Sequence, residues 1–405
     1  MKKNIVRKGL VVGMIFLFIG LSVIPLVGSI TRINQIRNKD EISSKSTREG
    51  DILYVGGSGP SNYTRIQDAI DNASDGDTVF VYDESSTYYE NILVTKSILL
   101  KGEDKNTTII EGIENVLVLQ ADNITISGFT IQCSHQSHHG NGIDIRGIKD
   151  IIITQNIIDY YDCGIYCENT NDISIIENIF QDVYAKYGMW LLNCNTAMIS
   201  DNLIIGYNQI GIQLEACIGI NIFNNEIRKT WCGIYDSDYS SDVQIYNNYL
   251  INNEHGMILY MKNLQLYNNI IQNSKWGLAC GGEKAHVYRN TLKDNKIDIF
   301  KGNNKFYENN FINDTITFDH YLGNSLLIKL LKFKNFRNFI LTLWFKFHRI
   351  PIDVDSNYWE NHSSDLPKRI EGDLIWFTGY PPFEEEHSVS WYIYDNNPAS
   401  EPYEI

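Results

Sequence analysis

The sequence predicts an all-β solenoid, a chain wound in coils of about 22 residues, each made of three short strands and three bends. Three observations predict it. A glycine followed by an apolar residue recurs at Gly142, Gly164, Gly188, Gly211, Gly233, Gly256 and Gly277, in steps of 22, 24, 23, 22, 23 and 21 residues. In a second phase asparagine recurs at Asn156, Asn178, Asn202, Asn225, Asn248, Asn269, Asn290 and Asn310, in steps of 22, 24, 23, 23, 21, 21 and 20. Just ahead of the asparagines lie short alternating segments such as Ile173-Ser174-Ile175, Ile220-Asn221-Ile222, Val243-Gln244-Ile245 and Leu264-Gln265-Leu266.

The strand phases are rich in β-branched residues and alternate with period two, which argues against a leucine-rich or helical repeat. The few aliphatic residues in one coil cannot offset the entropy of ordering it. Neighbouring coils must therefore share one core.

On these repeats the chain resembles the right-handed parallel β-helix repeat proteins, and within them the NosD-type family with its carbohydrate-binding and sugar-hydrolysis-like repeats. The resemblance covers about residues 51 to 320. It implies a three-stranded, right-handed parallel β-helix with a pectin-lyase-like N-terminal cap. It also implies copper binding as a possible activity, and a sheet that often serves as the substrate face.

The elements follow in order. Lys2, Lys3, Arg7 and Lys8 precede an apolar run from Leu10 to Val27, so residues 1–30 read as a signal peptide or an N-terminal membrane anchor with the basic end inside. Either way the body is exported. Residues 31–50 are polar and without period, a linker. Residues 51–90 form the N-terminal cap, with Thr64 as the N-cap of a short helix carrying Ile66, Ala69, Ile70 and Ala73 on one face. Residues 91–322 are the β-helix, irregular at first, with Gly128 in the asparagine phase. Residues 323–350 are apolar and basic, a helical insertion that folds back on the last coil or meets an anionic membrane. Residues 351–405 close the C-terminus, where Asn357-Tyr358-Trp359 resembles the signature that commonly ends such repeat proteins.

A formal net charge of −15 argues against a nucleic-acid partner, which would call for a basic stripe. Seven cysteines, an odd number, exclude a fully paired disulfide framework. Cys194 and Cys217 each lie six residues after their glycine, so they stack on adjacent coils, and a reduced, buried ladder is the expectation.

In each Gly-apolar strand the residue after glycine points inward and the next points outward. Asp144, Tyr166, Trp190, Gln213 and Tyr235 therefore form one outward column, with Arg146, Glu168, Leu192 and Glu215 beside it. Aromatic rings interleaved with carboxylates and amides suit the C–H faces and hydroxyls of a sugar. The leading reading is an exported cell-surface protein that binds a polysaccharide or other glycan through this column without turnover. A first alternative is a polysaccharide hydrolase or lyase on the same face, since Asp144, Glu168 and Glu215 lie within the spacing of a carboxylate pair. A second is a NosD-like copper-binding accessory protein. Cys133, His135, His138 and His139 sit in an enlarged loop, and sulfur with imidazole suits copper or another divalent metal.

Overall fold

The chain was analysed as a computed structural model. It describes residues 50–134, 140–159, 161–181, 185–206, 210–237, 240–299, 304–321, 352–353, 356–359, 368–378, 385–395 and 398–403. The expected segments 1–30, 31–50 and 323–350 lie outside the described residues, apart from Gly50.

The solenoid is a right-handed parallel β-helix of three sheets with 13, 13 and 12 strands. One sheet carries the Gly-apolar strands, among them Asn141–Arg146, Cys163–Glu168, Tyr187–Leu192, Ile210–Glu215 and Cys232–Asp236. A middle sheet carries the alternating segments, such as Asn171–Ile176 and Gln244–Tyr246. A third carries three-residue strands that follow the asparagines, such as Ile157–Asp159 and Ile204's strand Leu203–Ile205. Every coil pairs in parallel with the next, so residues one period apart become neighbours. The core is a set of aliphatic columns. Ile143, Ile165, Met189, Ile212 and Ile234 make one of them, all essentially inaccessible to solvent.

The repeat glycines are required by close approach. A Cβ built on Gly211 would lie 2.6 Å from the Gly233 carbonyl oxygen of the next coil, and Gly164, Gly188 and Gly233 are equally crowded. That oxygen belongs to backbone and cannot move aside.

The asparagines line up in a buried ladder. The Asn178 N–H and Nδ2 both donate to Asn202 Oδ1, at 2.9 and 3.2 Å, and Nδ2 also donates to the Ile153 carbonyl one coil back at 2.9 Å. The same set repeats through Asn202, Asn225, Asn248, Asn269 and Asn290. The sharp left-handed bend falls on the residue before the ladder position, Glu177 at φ 58°, Asp201 at 57° and Asn224 at 55°. It does not fall on the ladder asparagine itself.

Two ladder assignments from sequence are corrected. After Asn290 the ladder passes through Asn309, not Asn310, and ends on Asn357, whose Oδ1 accepts from Asn309. Asn310 instead exchanges hydrogen bonds with the Tyr403 backbone. The local coil is shorter, 19 residues from Asn290 to Asn309, and two adjacent asparagines hide the slip. At the other end Phe129 holds the asparagine phase, because its N–H donates to Asn156 Oδ1. Gly128 precedes it, at φ 81°.

The N-terminal helix spans Ile66–Asn72, with Ile66, Ala69 and Ile70 buried. Its N-cap is Arg65, not Thr64, and it makes no side-chain cap bond. The cap comes from a distant residue. Glu90, almost wholly buried, takes the Ile66 and Gln67 N–H groups at 2.9 and 3.1 Å, and an anion there suits the positive end of the helix. At the C-terminal end Trp359 stacks on Phe311 at 4.5 Å. The antiparallel strands Lys368–Thr378 and Glu385–Asp395 extend the glycine sheet.

Cys163, Cys167, Cys194, Cys217, Cys232 and Cys280 are buried free thiols. Cys194 and Cys217 follow the expected stack, their thiols donating to the Cys167 and Leu191 carbonyls.

Candidate functional site

The predicted outward column exists in register: Asp144 pairs with Tyr166, Tyr166 with Trp190, Trp190 with Gln213 and Gln213 with Tyr235. Arg146, Glu168, Leu192 and Glu215 form the neighbouring column. The side chains divide these positions into unequal roles.

Asp144 is only 2% exposed. Its carboxylate accepts from Arg146 Nε at 2.7 Å, Arg146 Nη2 at 3.0 Å, Asn141 Nδ2 at 2.8 Å and Asn115 Nδ2 at 3.1 Å. Three of these donors fall on Oδ2 and one on Oδ1, so Asp144 anchors the Arg146, Asn141 and Asn115 side chains from a buried position. Arg146 goes on to Glu168 Oε2 at 3.1 Å and lies over the Tyr166 ring at 4.8 Å. Its hydrogen bonds to Asp144 hold the guanidinium charge even more firmly than usual.

Tyr166 donates to Glu168 Oε2 at 3.2 Å. Burial, and then the Glu168 charge, push its phenol up to about 12. Trp190 donates its indole N–H to Glu215 Oε2 at 3.2 Å. Its ring meets Tyr166 edge-on, 5.3 Å between centroids at 76°, and Tyr187 at 5.0 Å and 38°. Gln213 is 6% exposed and reaches Ser237 Oγ at 3.4 Å. Tyr235 lies 6.3 Å from Trp231, which in turn lies 5.1 Å from His255. Two aromatic clusters thus flank a buried glutamine. Tyr187, Trp231 and His255 were missed by the sequence reading. Their signal is an aromatic residue one or two positions before the repeat glycine.

Of the three candidate carboxylates for hydrolysis, Asp144 and Glu168 share the Arg146 guanidinium, Glu168 Oε2 also takes the Tyr166 hydroxyl, and Glu215 Oε2 takes the Trp190 indole N–H.

Copper finds no fitting donor set among the described residues, which contain no group of three His, Cys, Asp or Glu able to hold a metal ion. Cys133 is 1% exposed in the core, and its thiol donates to the Glu114 carbonyl at 3.2 Å. His135, His138 and His139 lie outside the described residues. No helix among the described residues is long and apolar enough to cross a membrane.

The comparisons agree with this geometry at the level of fold. Residues 70–259 match the family of periplasmic copper-binding proteins named NosD. The matched stretch runs from the cap helix to the Gly256-Met257 coil. A cell surface glycoprotein of Methanothermus fervidus is 33% identical over 99 residues, 24% of this chain. The chain spans only 16% of that relative's length. Among solved structures, DFA-IIIase from Arthrobacter chlorophenolicus A6 without its lid superposes with a TM-score of 0.53 at 12% identity, covering 68% of this chain and 94% of that one. At such identity the likeness is one of fold.

Proposed function

We propose that this chain is an exported cell-surface β-helix protein that binds a polysaccharide through Tyr166, Trp190 and Tyr235, with Tyr187 and Trp231 completing the surface. One observation carries the reading: the geometry of the rings. On the middle sheet Phe223, Tyr246, Tyr267, Tyr288 and Tyr307 stack face to face at 4.9 to 5.2 Å and within 11° of parallel, so each ring face is covered by its neighbour. On the glycine sheet the rings meet at 76°, 38° and 67°, none of them parallel, and the Arg146 guanidinium lies over one face of Tyr166. A sugar needs an open ring face, and it needs polar groups beside it. Glu168 and Glu215 stand beside Tyr166 and Trp190.

The charge around these rings sets the class of ligand. Asp144 and Arg146 cancel, leaving Glu168 and Glu215 against the aromatic faces, on a chain of net charge −15. Neutral or amino sugars fit this surface, and uronic acid polymers are repelled. The surface location is supported by the basic-then-apolar N-terminal run and by the names of the NosD family and the Methanothermus fervidus cell surface glycoprotein.

The test is retention of the purified protein on immobilised neutral, amino and acidic polysaccharides. Trp190→Ala should weaken retention on a matching neutral glycan by roughly 5- to 100-fold, the range of an aromatic anchor residue. Tyr267→Ala, on the other sheet, should leave it unchanged. Equal retention of Trp190→Ala and the parent on every glycan that binds would refute the proposal.

A further inference from the structure

A second row of polar residues runs up another bend of the solenoid, Thr230, Asn253, Ser274, Asn295 and Asp314, hydrogen-bonded from Thr230 to Asn253 and again from Ser274 through Asn295 to Asp314. The Thr230 N–H donates to Asn253 Oδ1 at 2.9 Å, the Ser274 N–H to Asn295 Oδ1 at 2.9 Å, and the Asn295 N–H to Asp314 Oδ1. The other amide atom points to the coil before. Asn253 Nδ2 donates to the Ile227 carbonyl at 3.1 Å and Asn295 Nδ2 to the Ile271 carbonyl at 2.7 Å. Ile227 and Ile271 are the central residues of the strands Glu226–Arg228 and Ile270–Gln272.

Asp314 takes its place in this row with the wrong atom. Its coil before is the strand Thr291–Lys293, in which Leu292 is the register partner of Ile271, so an asparagine at 314 would present its N–H to the Leu292 carbonyl where Asp314 has Oδ2. Oδ2 is buried and has no hydrogen-bond partner among the described residues. Two acceptors cannot face each other in a buried site without a proton between them.

We propose that Asp314 folds as a neutral carboxylic acid whose Oδ2 proton bonds the Leu292 carbonyl, making a latch that holds the last coils at mildly acidic pH and loosens as the pH rises to neutral. The glycine-sheet strand Thr315–Tyr321 follows directly, so the latch joins the regular coils to the C-terminal extension. The charged group that faces Asp314 is Asp294, one coil back, and Asn295 supplies the neutral donors. Burial, opposed in part by Asn295 and assisted by the Asp294 charge, lifts this carboxyl to about 7.

The folded protein therefore holds a proton that the unfolded chain releases near pH 4, and the stabilisation present below that pH is lost as the pH climbs to about 7. Above 7 the profile is flat.

The test is native-state hydrogen exchange on the full chain, corrected for intrinsic rates, following the Asn295 amide. Its protection should fall by roughly a hundredfold between pH 5 and pH 8, the part of the effect that lies between pH 5 and the folded carboxyl's value of about 7. Asp314→Asn restores the missing donor, so its protection should be flat across this range and exceed that of the parent at pH 8. Asp294→Asn should keep the slope and move it to lower pH. As a second measurement, infrared difference spectra of the parent at pH 5 should show a protonated carboxyl band that Asp314→Asn lacks. A flat parent profile, a slope that survives Asp314→Asn, or an Asp314→Asn protein less protected than the parent at pH 8 would overturn the latch.

Discussion

Replacing Asn225 by alanine tests the asparagine ladder at its centre. The side chain is 1% exposed and makes five hydrogen bonds. Its Oδ1 accepts from the Asn202 N–H and Nδ2, both at 3.0 Å, and its Nδ2 donates to the Ile199 and Phe223 carbonyls and to Asn248 Oδ1 at 2.9 to 3.0 Å. Alanine removes all five, yet the cost is not five times a bond. Asn202 Nδ2 keeps its bond to the Ile175 carbonyl, and Asn248 Oδ1 still accepts from the residue 225 N–H. What is stranded is the Asn202 N–H, whereas the Ile199 carbonyl lies in the parallel pair Asn195–Ser200 with Asn221–Phe223 and loses only its second donor. At about 1–3 kcal/mol for the buried group left unpaired and about 1 kcal/mol for the other bonds lost, the loss is about 3 kcal/mol. Because a solenoid opens locally, the measurement is hydrogen exchange at the Asn202 and Asn248 amides, where protection should fall roughly a hundredfold. The control is Asn224→Ala. This neighbour is exposed, makes one bond of 3.2 Å to Asp201, and sits at φ 55°, so alanine should cost only about 1–2 kcal/mol. If Asn225→Ala costs no more than Asn224→Ala, the ladder does not hold the coils together.

Gly211→Ala should destabilise by about 1–3 kcal/mol or more in thermal unfolding, since its Cβ would meet the Gly233 carbonyl oxygen at 2.6 Å. Ala216→Gly should do the reverse and stabilise by about 1 kcal/mol, because Ala216 is held at φ 53°. Tyr267→Ala breaks two stacked contacts, 4.9 Å to Tyr246 and 5.1 Å to Tyr288, for a loss of about 1–3 kcal/mol beyond its burial. Burial raises the Tyr267 and Tyr288 phenols to about 12, so a spectrophotometric titration should show a late-ionising class of tyrosines. The folded state keeps protons that the unfolded chain gives up near pH 10, so stability should drop as the pH rises from 10 through about 12.

Periodicity made the fold legible because in a solenoid the repeat length alone fixes which residues touch. That is why Tyr166 and Trp190, 24 positions apart, were correctly placed side by side. The same logic reached the middle-sheet aromatic stack in principle, since Phe223, Tyr246, Tyr267, Tyr288 and Tyr307 keep a fixed offset of two residues before the ladder asparagine. It failed where side-chain reach decides. Glu90 caps a helix that begins 24 residues earlier, and nothing local to Thr64 shows that its own hydroxyl is displaced. Asp144 looks like an outward carboxylate in any alternating pattern, and only the approach of Asn115, Asn141 and Arg146 reveals that it is buried among donors. Asn310 was preferred to Asn309 because a coil shortened to 19 residues is invisible when both neighbours are asparagine.

Stacking also separates the two exposed sheets in kind. Where packing alone governs an outward column, like side chains gain most from lying on like, and the middle sheet obeys this with five successive rings held nearly parallel. The glycine-sheet column does not. It runs Leu93, Val118, Asp144, Tyr166, Trp190, Gln213, Tyr235, Ile258, Ala279, Asp298 and Thr317, with apolar, aromatic and polar residues in no repeating order. Self-stacking explains neither that mixture nor the tilt of the rings. The polysaccharide proposed above would make different contacts on successive coils, a hydrogen bond at Gln213 and aromatic contacts at Tyr166, Trp190 and Tyr235.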